Sequence, residues 1–179
     1  QYDKSIETKK ELGDNKGLHS SIFNKGQAYF YLDEFDKSIN EFRQSMELQN
    51  NDFHMNEKYR YIGMCHYYLE NYDSSTVYLS RSSRFFKEDS IKLLSIIPFQ
   101  MLSDLKNKNK TNIDMKIKTF EKIALNKDPL PVDYVLTNWA MYEVLVDLGN
   151  YSSASSYLEN AYVCKVGPTV PSWANLGQT

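Results

Sequence analysis

Chain breakers are scarce in this sequence. Seven glycines and five prolines in 179 residues encode few sharp turns, which disfavours a many-turned β fold and favours helices joined by short loops. No apolar run approaches the length that spans a bilayer. Cysteine occurs only at Cys65 and Cys164, far apart and outside any CxxC or Cys/His spacing. That argues against a structural zinc site and reads as two buried thiols. An excess of one charge is also missing. The 21 basic and 23 acidic side chains leave a net charge of −2, which offers no general field for a phosphate backbone or an anionic lipid surface. The basic stretch at Lys106, Lys108 and Lys110 reads as a solvated loop.

Signs of catalysis are equally thin. The three histidines, His19, His54 and His66, form no pair at ligand spacing on one helical face. Cys65 and His66 are adjacent, and adjacent helical residues do not face one another. No phosphate-cradling glycine loop and no nucleophile elbow is present. Glu34, Glu41, Glu47, Glu57 and Glu70 read as solvated surface. The expectation is a protein without catalytic residues, cofactor or metal. An enzyme on a helical-repeat scaffold, such as a repeat-type phosphatase, would need a convergent polar constellation that the sequence does not display.

What the chain has in quantity is apolar and aromatic residues, 41% and 14% respectively, arranged in repeats. The segment from Asn24 aligns without a gap on the segment from Tyr61. Gly26 meets Gly63, Leu32 meets Leu69, Phe35 meets Tyr72, Ser38 meets Ser75, Phe42 meets Leu79 and Ser45 meets Ser82, all 37 residues apart. A third copy begins at Leu145, with Tyr151, Ala154, Leu158 and Ala161 in the corresponding places. The chain opens inside another, with Tyr2 and Ser5 standing 40 residues before Phe42 and Ser45. A weaker copy runs through Ile113, Phe120 and Ile123. In each, a first helix carries a small residue, a short turn such as "LDEFD", "LENYD" or "LGNYS" comes next, and a second helix alternates small and large residues. A glycine recurring inside a helix, where it costs roughly 1 kcal/mol against alanine, points to close helix–helix approach. The aromatics Phe35, Tyr72 and Tyr151 are predicted to be buried between the two helices of their pairs.

These residues resemble the tetratricopeptide repeat, an antiparallel helix pair of about 34 residues with W-x2-L-G-x2-Y followed by A-x3-F. "ELGDNKG", Glu11 to Gly17, resembles the linker of a longer-period variant, and "PSWANLGQ" places Trp173, Leu176 and Gly177 as the start of a further unit. The resemblance implies an all-α, right-handed superhelix, an α-solenoid. Residues 1–179 form one array on this reading: the second helix and linker of a preceding repeat at 1–17, helix pairs at 19–50, 54–86, 90–126 and 133–163, and the start of another repeat at 168–179. Pro98 stands where the middle unit should have its glycine, so the helix over 89–105 is either kinked at Ile97–Pro98 or begins later. "KDPLPVD", Lys127 to Asp133, reads as a rigid spacer. The chain is expected to be a fragment of a longer protein, and its Lys-, Asn- and Tyr-rich composition is similar to that of bacterial proteins from AT-rich genomes.

The resemblance further implies a scaffold for a protein or peptide partner, with the first helix of each pair lining a concave groove. Phe23, Gln27, Phe30 and Tyr31, then Arg60, Met64, Tyr67 and Tyr68, then Phe99, and finally Trp139 fall on that face. The i, i+4, i+7 spacing within the first two sets keeps each on one side of its helix. Inter-repeat packing is the competing reading of the same aromatics. The carboxylate clamp of chaperone-binding members is not matched, since Phe23, Gln27 and Tyr61 stand at its first three places. A second functional reading is a sensor or regulatory region of a bacterial signalling protein or transcriptional regulator with its output domain outside this chain. No direct nucleic-acid contact and no membrane span is expected. The repeat ends would serve a homo-oligomer, and the compartment stays open between cytoplasm and periplasm.

Overall fold

The computed structural model describes residues 2–48, 52–87, 90–125 and 131–163. The described residues are helical, in the order α1 (Tyr2–Glu11), α2 (Asn15–Tyr31), α3 (Phe35–Leu48), α4 (Asp52–Tyr68), α5 (Tyr72–Ser83), a 3-10 turn (Ile91–Ser95), α6 (Ile97–Lys106), α7 (Ile113–Ala124), α8 (Pro131–Asp147) and α9 (Tyr151–Val163). No strand occurs among them. The helices stack as antiparallel pairs. Along one side α2 touches α4, α4 touches α6 and α6 touches α8, so the first helices form an inner layer. Cys164 and the segment around Trp173, Leu176 and Gly177 lie outside the described residues.

One local device ends five of these helices. Gly13, Asp33, Glu70, Lys108 and Gly149 all take a left-handed backbone conformation. The amide of the residue after each one donates to a carbonyl five residues back, as in Glu34 to Tyr29 at 2.9 Å, Asn71 to His66 at 2.8 Å and Asn150 to Leu145 at 2.8 Å. This closure satisfies carbonyls that a helix end would otherwise leave unpaired. It turns the chain back so that the next helix runs antiparallel against the last.

The pairs then pack through small residues. A Cβ on Gly26 would stand 2.9 Å from Cε1 of Phe42, and one on Gly63 would stand 2.7 Å from Cγ of Leu79. Both large side chains are fully buried. The small residues of the second helices bond to what they approach. Ser38 donates to the Gly26 carbonyl at 2.9 Å, Ser82 to the Asn56 carbonyl at 2.8 Å, and the Ser75 and Ser103 hydroxyls meet at 2.7 Å. Each hydroxyl thereby enters the core with a partner, which removes most of the penalty for burying it.

The third unit departs from the others where Pro98 stands. Residues 91–95 form a 3-10 turn, and α6 begins only at Ile97, with Pro98 in its first turn. A proline there replaces an amide that would have had no helical partner, so the helix begins at the proline instead of kinking around it. Of the two geometries open in the sequence, the later start is the one adopted.

The turn aromatics require a correction. Phe35 and Tyr72 are half-buried, whereas Tyr151 is 69% exposed. Phe35 is covered from the following pair, by Tyr68 of α4 stacked at 4.9 Å, as well as by Phe30 of its own at 5.9 Å. Tyr72 meets Tyr67 of its own pair at 5.8 Å, and no helix comes after α9 among the described residues to cover Tyr151 as Tyr68 covers Phe35.

Gly63→Ala should destabilise the protein even though alanine is the better helix former. The methyl would meet both the Leu79 side chain and, at 3.1 Å, its backbone nitrogen, and overpacking of this kind costs about 1–3 kcal/mol against a propensity gain of about 1 kcal/mol. Urea unfolding measures the balance, and Leu79→Ala in the same chain should reduce the cost, because it removes the side-chain part of the clash and leaves the backbone contact.

Candidate functional site: the inner face of the first helices

The inner layer is joined by a ladder of rings. Phe23 of α2 lies 5.4 Å from Phe42 and 6.2 Å from Tyr61. Phe30 lies 5.3 Å from Tyr61 and 6.0 Å from Tyr68. Phe99 of α6 then meets Tyr67 at 5.6 Å and Tyr68 at 6.0 Å, and Trp139 of α8 meets Tyr68 at 6.2 Å and Phe99 at 6.3 Å. Tilted, edge-on and stacked arrangements of this kind add to the burial of the rings themselves.

The sequence-derived site residues therefore come together, but at two depths. Phe30, Met64 and Phe99 are wholly inside, and shape the face from behind without touching solvent. Phe23, Gln27, Tyr31, Tyr67, Tyr68 and Trp139 are half-buried and form its surface. Gln27 donates to the Tyr61 hydroxyl at 2.9 Å, a contact the sequence did not indicate. Burial pushes the phenols of Tyr31 and Tyr67 well above their usual range. Both stay protonated at any physiological pH and can donate a hydrogen bond.

Arg60 is also inside, at 5% exposure. Its Nη1 meets Oδ1 of Asp133 at 2.7 Å, its Nε donates to Glu57 at 3.0 Å, and its guanidinium lies 4.5 Å from the centre of the Tyr61 ring. Lys92 completes the group by bonding Glu57 at 2.7 Å. Burial alone would raise Glu57, but Arg60 and Lys92 outweigh it and hold its carboxyl below the ordinary value. The acidic partner that Arg60 could have awaited from another molecule is supplied from α8. Glu57 and Glu41 depart from the solvated surface expected of them. Glu41 is 8% exposed and pairs with Lys25 at 3.0 Å. The signal for Asp133 was present only as an acidic residue in the first turn of α8.

Two further titratable groups are buried in the interior. The Cys65 thiol is pushed up to about 12 by burial, which leaves it protonated and unreactive. Lys58 is fully buried, with a single hydrogen bond, to the Ser45 carbonyl at 3.2 Å. Burial lowers its ammonium to about 8. Among the described residues no group of three or more His, Cys, Asp or Glu side chains is arranged to hold a metal ion, and no helix is long and apolar enough to cross a membrane.

A family model for the tetratricopeptide repeat matches residues 19–52, which cover α2 and α3. No curated protein matches the chain significantly. The stacked helix pairs and that match define a helical-repeat solenoid. Residues 19–52 are thus similar to a tetratricopeptide repeat, and the other helix pairs stack on them in the same manner.

Asp133→Asn should destabilise the fold by about 3 kcal/mol, because it leaves a buried guanidinium short of one of its two carboxylates. Arg60→Met combined with Asp133→Leu should recover most of that loss in a urea titration. Lys58→Met should stabilise the protein at pH 7 by about 1–2 kcal/mol. With Lys58 in place the unfolded chain holds the extra proton between about pH 8 and the ordinary lysine value of 10.5. Stability therefore rises with pH through that window, and thermal melts of the Met variant should lose that rise.

Proposed function

We propose that the inner face binds a segment of a partner protein at the surface made by Phe23, Gln27, Tyr31, Tyr67, Tyr68 and Trp139. The observation that carries this reading is the half-buried state of these rings. They come from three separate first helices, are packed from behind by Phe30, Met64 and Phe99, and still reach solvent. Rigid aromatic side chains that already sit in fixed contacts lose little freedom when a partner covers them. Tyr67 adds a donor for a partner's carbonyls, while the Tyr31 hydroxyl is engaged with Tyr61. An amphipathic helix or an extended peptide with apolar anchors suits such a surface. Arg60 takes part indirectly, by holding α4 against α8 through Asp133.

The test begins with a photo-crosslinking amino acid placed at Tyr67 or, as a control, at Lys118 on the exposed side of α7. The partner captured at 67 is purified and titrated against the protein. Tyr67→Ala with Trp139→Ala should weaken binding by at least about tenfold, since each central aromatic anchor is worth roughly 1–2 kcal/mol or more, while circular dichroism stays unchanged. Equal affinity in a folded double variant, or capture at 118 with none at 67, would place the binding surface elsewhere.

A further inference from the structure

The opposite side of α4 carries a second aromatic group of different character. Tyr59 and His66 precede Tyr61 and Tyr68 by two residues each, about 200° around a helix of 3.6 residues per turn, so they face away from the inner layer. Tyr59 lies 6.1 Å from Tyr78 and 6.2 Å from Phe85, and His66 stacks on Tyr78 at 5.4 Å. The guanidinium of Arg81, on α5, sits 6.0 Å from the Tyr59 ring and 5.7 Å from the Tyr78 ring. Nδ1 of His66 is buried there without a hydrogen-bond partner. The other wall is α3. Arg43 and Asp36, both exposed, are the charged groups that act on the His66 imidazole.

Arginine is rare in this chain, with four residues against seventeen lysines. One is the buried Arg60. The remaining three, Arg43, Arg81 and Arg84, are all exposed on α3 and at the end of α5, and none forms a salt bridge among the described residues. Lys25, Lys37, Arg60, Lys92, Lys106 and Lys116 are among the cations that do. Arginine differs from lysine in stacking on aromatic faces while its planar fork stays open to a carboxylate. Arg81 is held that way, lying over two rings with no carboxylate in contact. We infer that the outer face formed by α3 and α5, centred on Arg81, is a second docking surface, and that it takes an acidic peptide segment of a partner protein with an aromatic residue among its carboxylates. Arg43, Arg81 and Arg84 receive the carboxylates, and the exposed edge of Phe85 with Tyr59 and Tyr78 receives the ring. A long polyanion fits less well. The chain as a whole is acidic, and on α3 Asp36 and Glu47 flank the single unpaired cation Arg43, so only a short acidic segment can reach the arginines.

The experiment is fluorescence anisotropy with a short labelled peptide of glutamates flanking one phenylalanine, titrated with the protein at low and moderate salt. Binding should weaken with salt, as expected for exposed charges. Arg43→Gln with Arg81→Gln should reduce it by about tenfold, in keeping with loss of charge-assisted contacts. Lys118→Gln should leave it unchanged. Tyr67→Ala with Trp139→Ala should also leave it unchanged, which separates this surface from the inner one. Three results would overturn the proposal: no binding beyond that of the same peptide with glutamine for glutamate, equal binding by the arginine variant, or arginine-dependent binding of single-stranded DNA or phosphatidylserine vesicles in place of the peptide. The three arginines are exposed, so the variants are expected to fold, and circular dichroism verifies it.

Discussion

The close approach of two helix backbones within each pair governs most of what this molecule does. Gly26 and Gly63 admit the rings and branches of Phe42 and Leu79 to within contact of a first helix, and serines on the second helices fasten to that helix or its neighbours through their hydroxyls. Were the pairs set further apart, the first helices could not stand side by side closely enough for ring to meet ring from Phe23 to Trp139. The aromatic ladder, the buried guanidinium and the half-open tyrosines are consequences of spacing set by residues that present almost no side chain. A packed interior transmits such spacing faithfully, because it is as dense as a crystal of small molecules.

Much of the architecture was legible because it is written locally. The turns after Leu32, Leu69 and Leu148 are short, and their closing hydrogen bonds span five residues, so each motif contains its own cause. The small-large-small alternation of Ser38, Phe42 and Ser45 is likewise contained in two helical turns. The unusual start of α6 was visible in Pro98, since proline acts on its own helix. Legibility fails where the cause lies elsewhere in the chain. Nothing near Arg60 announces that Asp133 will neutralise it. The depth of Phe30, Met64 and Phe99 depends on how neighbouring first helices nest, and that depends in turn on the shortened α6. Tyr151 has the same local setting as Phe35 and a different exposure, because part of the cover of Phe35 comes from Tyr68 of the following pair.

The two faces of α4 show how one helix can serve opposite ends. Its inner side is made of rings in contact with other rings and of charges that are already neutralised, an environment stable to salt and pH. Its outer side brings together rings and guanidinium groups whose charge is left over, an environment that responds to ions. The difference arises from a two-residue offset along the same helix, which shows how little sequence separates a packing face from a receptive one.

In arrays of stacked repeats each unit generally touches only its neighbours, so stability is nearly a sum over units and their interfaces. The contact between Arg60 and Asp133 joins the second pair to the fourth, across the intervening α6 and α7. Excision or duplication of that middle unit would shift Asp133 by the length of a repeat and strand a charge in the interior. The pair thus acts as a counter. It ties the number of repeats between two points to the stability of the fold.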